Sequence, residues 1–442
     1  MQQSQATGTK PRIVIVGAGF GGLNAARTLS GQPVDVLVLN RNNYHGFWPL
    51  LYQVATAGLE PESIAYPVRA ILQQYRNVAF QMANVSGIDF DGRRVLTDGE
   101  PVPYDFLILA AGSTSNYFGN RELETNTFGM KDIDEAEALR NHVLLCFEQA
   151  VREPDPDRRA ALMTFVIVGG GPTGVELAGA FSELVRHVLP NDYPMLDLAL
   201  ARVLLVEAGE HILATFPQPL QDKALAKLKQ MGVDIRLGTA VEHVDQSEVV
   251  FKDGRIVPSC TVVWAAGVKA AELADRLGVT QARAGRIPVA PTLALPGHPE
   301  VFIIGDMAYL EGYNGHNAFP MVAQVAIQQG KLASANILAE LSGRPQQPFK
   351  FFDKGSMATI GRRAAIMDAF GIQLSGFLAW LGWLFIHLIE LIGFRNRLIV
   401  LMNWMYNYFT YDRGVRLITN HLPPVRPLQV TEAAETDESV SR

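Results

Sequence analysis

Apolar runs and glycine-rich breaks along this chain spell strand, turn and helix twice over. Ile13–Val16 is an unbroken run of four β-branched residues, and Val34–Leu39 (VDVLVL) is a second apolar run with Asp35 near its start. Short uninterrupted runs of this kind suit strands buried on both faces of a parallel sheet. Between them lie Gly17-x-Gly19-x-x-Gly22 and an alanine-rich helical stretch that reaches Leu29. The same order returns at Phe165–Phe181 (FVIVGGGPTGVELAGAF), whose helix runs on toward Val188, and at Arg202–Gly209 (RVLLVEAG). Further buried strands are expected at Phe106–Leu109, Thr261–Val268 and Val301–Ala308, each ending in small residues. Asp132–Val151 reads as a helix, Arg152–Arg159 as a charged loop, and a helix is expected from about Pro320.

The glycine spacing carries chemistry. In a strand–turn–helix setting, Gly17 permits the tight turn, Gly19 lets backbone approach a diphosphate, and Gly22 lets helix and strand pack closely. The helix N-terminus adds free N–H groups and partial positive charge. Gly169, Gly171 and Gly174 stand in the same frame. In such folds the end of the second strand faces the adenosine ribose, where an acid usually accepts from the hydroxyls. The first unit has Asn40 there, followed by Arg41; the second has Glu207. A carboxylate at that point repels a 2′-phosphate, so Glu207 favours NADH over NADPH.

The 442 residues suffice for two or three domains. The net charge of −6 gives no basic footprint for nucleic acid. Cys146 and Cys260 are far apart and form no metal-ligand spacing, which suits a reducing compartment and small core residues. The polar first ten residues lack a signal-peptide core. Gln429–Arg442 is expected to be a disordered tail. Asn42–Arg69, rich in aromatics, Pro and Gly, reads either as a cofactor-covering segment or as an aromatic core loop.

The two glycine units, the small-residue strand ends at Ala111-Gly112 and Ala265–Gly267, and Gly305-Asp306 resemble the two-dinucleotide-binding flavoproteins. More narrowly, YHGFWPLLYQVATAGL, GGGPTGVELAG, WAAGV and Ala323-Gln324-x-Ala-x-Gln328-Gln329-Gly330 resemble the type II NADH:quinone oxidoreductases, non-proton-pumping NADH dehydrogenases. The resemblance implies an α/β fold of two Rossmann-like dinucleotide-binding domains. An NADH-binding domain (121–272) would be inserted in an FAD-binding domain (11–120 and 273–345). A C-terminal membrane-associating helical region (346–424) and the tail (425–442) would follow. It also implies which residues serve each cofactor. FAD would be held by Gly17, Ala18, Gly19, Phe20, Gly21, Gly22, Asn40, Arg41, Val85, Ala111, Gly112, Asp306, Ala323 and Gln324, with Asp306 on the ribityl chain. NADH would be held by Gly169, Gly171, Pro172, Thr173, Gly174, Glu207, Ala266 and Gly267. Glu176, one turn into the second helix, would act near nicotinamide or in proton supply. Gln324 and Gln328, sharing a helix face, would meet quinone or flavin. A quinone, a bilayer surface and a second copy of the chain are the implied partners, at the cytoplasmic face of the cell membrane. A reductase of a small carrier protein, or a redox sensor, is the rival reading. Disulfide reductases are excluded because Asn42–Gly58 contains no cysteine. Neither Cys146 nor Cys260 looks poised as the paired redox cysteines of sulfide:quinone reductases.

Leu374–Phe394 is apolar and by count could cross a bilayer. Trp380, Trp383, His387 and Glu390 share one face of it. The following segment carries Asn396, Asn403 and Asn407 along one stripe, with aromatics beside them and arginines flanking. This pattern predicts helices lying in the membrane surface, with a true span and a core or dimer-interface helix as the alternatives.

Overall fold

The computed structural model describes residues 10–313 and 317–419. The chain begins β1 (Arg12–Val16), α1 (Phe20–Leu29) and β2 (Asp35–Asn40), then reaches β3 (Val78–Met82) and β4 (Phe106–Leu109). Helix α2 (Ile133–Ala150) leads to the second unit: β5 (Thr164–Val168), α3 (Pro172–Glu183), β6 (Arg202–Val206), β7 (Asp234–Arg236) and β8 (Thr261–Trp264). The chain returns through β9 (Ala294–Leu295), β10 (His298–Ile303) and α4 (Ala323–Leu341). It ends in β11 (Ser356–Gly361), β12 (Ala364–Ala369), β13 (Ile372–Gly376), α5 (Phe377–Glu390) and α6 (Phe394–Thr410).

Both apolar runs form the buried central strands of sheets that are parallel throughout, except for an antiparallel edge pair in the first. The first sheet has the order β9-β10-β4-β1-β2-β3, and the second β7-β6-β5-β8. β1 pairs in parallel with β2 and β4, and β5 with β6 and β8, so each glycine turn leaves the centre of its sheet. Strands from both ends of the sequence build the first sheet, while the second is made from the intervening chain. A two-stranded antiparallel ladder, Ser113–Ser115 against Val268–Ala270, links them.

Close backbone approaches at glycine fix the packing. A Cβ at Gly22 would lie 1.8 Å from the Gly17 carbonyl oxygen, and the same 1.8 Å holds for Gly174 and Gly169. A Cβ at Gly330 on α4 would lie 2.3 Å from the Gly21 carbonyl oxygen of α1, so these two helices touch backbone to backbone. At Gly179 on α3 a Cβ would sit 1.7 Å from the Ile360 carbonyl oxygen, so β11 of the C-terminal sheet lies directly on α3.

Several expected boundaries move. The loop at Arg152–Arg159 is half helix: Pro156–Leu162 is helical, capped by the Asp155 carboxylate with Pro at the first position. Helix α4 starts at Ala323 rather than near Pro320, because Val322 is still extended (φ −129°, ψ 154°). The apolar run Leu374–Phe394 is not one helix. Its first residues complete β13, and α5 follows with 14 residues, about 21 Å at the usual rise and short of a ~30 Å hydrocarbon core. Among the described residues no helix is long and apolar enough to cross a membrane. The expected tail at Gln429–Arg442 lies outside the described residues.

The polar stripe of the last helix is turned inward. Asn396 donates to the carbonyls of Glu62 (2.9 Å) and Ala65 (3.0 Å), and Asn407 to that of Gly58 (3.3 Å). Trp404 donates to the Gln53 side chain at 2.8 Å. Trp383 is buried with His387 stacked on it, while Glu390 at the end of that face is exposed. The outward surfaces of α5 and α6 are apolar instead. Leu378 and Phe385 are each 65% exposed, Phe394 82% and Phe409 76%.

The Gly330 approach leaves no room for a methyl group. Gly330→Ala is expected to destabilise the protein by about 1–3 kcal/mol through overpacking, seen as a lower melting temperature by calorimetry. An unchanged melting temperature would contradict the backbone contact between α1 and α4.

Candidate functional site

A cavity of about 940 Å³ opens above the first glycine turn, at the carboxyl ends of the parallel strands. Such crevices are where open α/β sheets bind ligands. Gly17 takes φ +108° and a Cβ there would strike the Ala110 carbonyl oxygen at 2.2 Å. Around Gly19, by contrast, nothing lies within 4 Å of the Cβ position. No side chain caps α1, so its first N–H groups face the cavity. This open glycine cradle under an uncapped helix end fits a diphosphate.

The expected first-unit residues gather here. Gly17, Ala18, Gly19, Phe20, Gly21, Asn40, Arg41, Val85, Ala111, Gly112, Asp306 and Ala323 all line the cavity; Gly22 lies behind it as packing. Asn40 Oδ1 accepts the Ala18 N–H at 3.0 Å, and its amide nitrogen donates to the Asn42 carbonyl. Arg41 pairs with Asp132 at 3.2 Å. Asp306 accepts a hydrogen bond from Ser113 (2.6 Å), whose hydroxyl oxygen receives one from Lys131 Nζ (3.1 Å). Burial pulls the Lys131 ammonium pKa down, while the Asp306 and Glu135 carboxylates push it back up.

Lys131 lay outside the sequence reading, whereas His45 and Gln329 stood inside quoted motifs without an assigned role. His45 is buried on the cavity wall and donates from Nδ1 to the Ala18 carbonyl; desolvation lowers its pKa to about 4, so it is neutral. Gln329 Oε1 accepts the Gly305 N–H at 2.6 Å and thereby fixes the turn that presents Asp306. Its adjacency to the quoted glutamines was the available signal.

The second unit contributes Thr173 and Glu176 to the same cavity. Gly169, Gly171, Pro172, Gly174, Glu207, Ala266 and Gly267 lie beyond it, on the second sheet's own glycine turn and strand ends. A Cβ at Gly169 would meet the Ala265 carbonyl oxygen at 2.5 Å, and nothing lies within 4 Å of one at Gly171. The second turn is thus a cradle like the first. Glu207 accepts the N–H groups of Gly170 (2.5 Å) and Gly209 (2.7 Å), the counterpart of Asn40 and Ala18.

Gln324 and Gln328 depart from expectation. Both amides clamp the backbone of Phe352–Gly355. Gln328 exchanges two 2.9 Å hydrogen bonds with Phe352, and Gln324 bonds Lys354 N–H (3.1 Å) and the Gly355 carbonyl (3.2 Å). Neither lines the cavity, where Ala323 and Ala326 form the start of α4. A shared helix face was read correctly; its partner is the segment ahead of β11.

Glu176 sits where the two units and the C-terminal region meet. It lines the large cavity and a second one of about 120 Å³ between α3, β11 and helices α5 and α6. The Thr359 N–H donates to it at 3.4 Å. Desolvation lifts its carboxyl pKa to about 8, against that weak hydrogen bond, so it is protonated at neutral pH. The cysteines belong to neither cavity. Cys146 is buried against His142 and Thr261, and burial pushes its thiol well above the usual range.

The family model described as pyridine nucleotide-disulphide oxidoreductase matches residues 11–330, and the one described as NDH2 C-terminal domain matches 354–411. A Mycobacterium tuberculosis protein named type II NADH:quinone oxidoreductase Ndh is 43% identical over 95% of this chain and 93% of its own length. A second from that organism, NdhA, is 39% identical over 95% of this chain and 92% of its own. The structure of NDH2 from Plasmodium falciparum in complex with NADH shares the fold, with a TM-score of 0.85 at 18% identity over 93% of this chain and 100% of that one.

The raised Glu176 pKa has a stability signature. The folded state holds this proton up to about pH 8, whereas the unfolded chain releases it near 4.5. Stability from this group is therefore lost as pH rises from about 4.5 to about 8. Glu176→Gln is expected to melt progressively higher than the parent as pH is raised from 6 toward 9, about where the carboxylate would form. A melting difference that does not change with pH would contradict the assignment.

Proposed function

The chain belongs to the family of type II NADH:quinone oxidoreductases, and we propose that it transfers a hydride from NADH to bound FAD and an electron pair onward to a membrane quinone. The observation that carries this is the large cavity to which both glycine units contribute, the first with its turn and the second with Thr173 and Glu176. FAD, when bound, supplies the acceptance of a hydride and the release of an electron pair.

The chain's own residues bind, orient and hold protons. The Gly17–Gly22 turn and the uncapped end of α1 would hold the diphosphate. Lys131 and Ser113 fix one oxygen of Asp306, leaving the other to accept from a polyol. The N-terminus of α4 has no side-chain cap, so its partial positive charge faces the cavity and would stabilise negative charge there. The second glycine turn and Glu207 would hold the NADH diphosphate and ribose. Thr173 and Glu176 would stand beside nicotinamide, with Glu176 holding a proton at neutral pH. No side-chain nucleophile is required for this chemistry.

The apolar outer surfaces of α5 and α6 would dip into one leaflet, making the protein peripheral, on the cytoplasmic face of the cell membrane. A homodimer is part of the proposal by family likeness. A reductase of a soluble carrier protein has no use for such a surface.

Two outcomes test the reading. Glu207→Gln removes the charge that repels a 2′-phosphate; because both nucleotides use the same turn, losses from the Gly170 contact cancel in the ratio. The NADPH/NADH ratio of kcat/KM is expected to rise about tenfold, the worth of ~1.4 kcal/mol of screened repulsion; an unmoved ratio would put the ribose elsewhere. Phe385→Asp combined with Leu398→Asp leaves the core intact, since both residues face outward. The pair is expected to retain bound FAD and to abolish co-sedimentation with vesicles, and continued pelleting would place the anchor elsewhere.

A further inference from the structure

The second glycine turn fixes the direction in which a dinucleotide would run. Glu207 at the end of β6 marks the adenosine end, and the cradle at Gly169–Gly174 follows β5. In the order β7-β6-β5-β8, the strand end on the other side of the cradle is that of β8, which runs into Ala265–Gly267. The nicotinamide half would therefore leave the diphosphate across Gly267. From there the ladder of Ser113–Ser115 against Val268–Ala270 leads to the large cavity, which Ser113 and Thr114 line together with Thr173 and Glu176.

Phe118 stands at this crossing in a conformation that its side chain disfavours. It lies in a turn closed by the Asn120 N–H, which donates to the Tyr117 carbonyl at 3.0 Å. The two central residues, Phe118 and Gly119, both have positive φ, +53° and +80°. That is the type I′ pattern, which Asn or Asp followed by Gly adopts readily. A bulky side chain in the first place is an outlier. The turn is nonetheless tied down. The Asn116 side chain accepts the Phe118 N–H at 2.9 Å, the Asn116 N–H donates to the Gly267 carbonyl at 3.1 Å, and the Asn116 carbonyl accepts the Trp264 indole N–H at 2.9 Å. These bonds bring the tip of the Phe118 ring to 3.5 Å from the place a Cβ on Gly267 would take. Packing does not offset the strain, because the ring meets Trp264 edge-on at 6.5 Å and the residue is 69% exposed. Strained backbone that its surroundings hold in place clusters at ligand clamps.

We propose that Phe118 is an NADH-binding residue whose ring forms the wall against which the nicotinamide half lies as it crosses Gly267 toward the large cavity. The inference rests on the nucleotide reading of the second unit above. Gly267 has no side chain to screen the ring from the crossing, and the two together present one continuous apolar surface. Binding buries a ring that is otherwise left to solvent, and the aromatic face suits the flat nicotinamide and the carbon side of its ribose. ADP ends at the diphosphate, before the crossing, so it makes no use of Phe118.

The FAD-loaded holoenzyme, kept oxidised, is titrated calorimetrically with NAD⁺ and with ADP. Phe118→Ala is expected to weaken NAD⁺ binding about fivefold, the size of an aromatic contact's contribution, and to leave ADP at parent affinity. Phe118→Tyr keeps the ring and is expected to bind both ligands as the parent does. Phe118→Asn gives the turn the residue it favours. It is expected to lose NAD⁺ affinity as Phe118→Ala does, while its melting temperature rises. Parent-like NAD⁺ affinity in the Ala and Asn variants would overturn the proposal. So would an equal loss of NAD⁺ and ADP affinity, which would make the ring a prop for the cradle. A lower melting temperature together with weaker NAD⁺ binding in Phe118→Asn would likewise overturn it, by making the ring part of the fold's packing. A parent holoenzyme that binds neither NAD⁺ nor ADP would instead sink the nucleotide reading of the second unit, and this proposal with it.

Discussion

The seam between α3 and β11 holds the molecule's two halves in contact. At Gly179 the helix presents bare backbone, and the Ile360 carbonyl oxygen occupies the place where a side chain would begin. Because the strand lies so near, N–H groups in it and just after it reach the helix's acids: Thr359 to Glu176 and Arg362 to Glu183. Both carboxyls thereby lie between the second glycine unit and the C-terminal sheet. Arg413, arriving after α6, closes the seam by bonding Glu183 and the backbone of both α3 and the segment after Leu51–Ala55. Burial drives the Glu176 carboxyl toward neutrality, whereas Glu183 has a guanidinium partner. Two acids seven residues apart on one helix thus have different electrostatic surroundings.

The two glycine turns rest on one device made from different side chains. Asn40 and Glu207 both end the second strand of their unit, and both accept an N–H from the adjacent turn. A neutral amide and a carboxylate can each do this, since the bond needs only an oxygen. The carboxylate adds a charge and a second accepted N–H, from Gly209. Asn40 instead uses its amide to hold the next loop through the Asn42 carbonyl. The departure from an acid at the first turn is therefore structurally satisfied.

The parallel sheets, the glycine turns and most of the large cavity's lining were legible because each is a local pattern. Apolar runs of four or more residues, glycines at fixed offsets and strand ends rich in small residues need only neighbours in sequence. What escaped reading depends on chain segments far apart. Gln324 and Gln328 looked like a polar face, and only the fold brings Phe352–Gly355 beneath them. Lys131 lies outside any motif and acts through Ser113 on Asp306, 175 positions away in number. The apolar run Leu374–Phe394 misled by length: Gly376, at φ +78°, ends the strand and opens the helix inside it. The stripe of Asn396 and Asn407 was legible, but not its partners, the carbonyls of Glu62, Ala65 and Gly58, which only the fold brings beneath it.

Helix α6 is inside out by the standards of a soluble protein, with amides toward the core and Phe394, Leu398, Met402 and Phe409 toward the surroundings. Such a face is what an amphipathic helix lays on a lipid surface, and under the proposed membrane association the bilayer would act as a second solvent for one side of the fold. A catalyst settled at such a boundary meets its lipid-soluble substrate by lateral diffusion in a plane. Its turnover then follows the mole fraction of that substrate among the lipids, and diluting the suspension leaves this encounter frequency untouched.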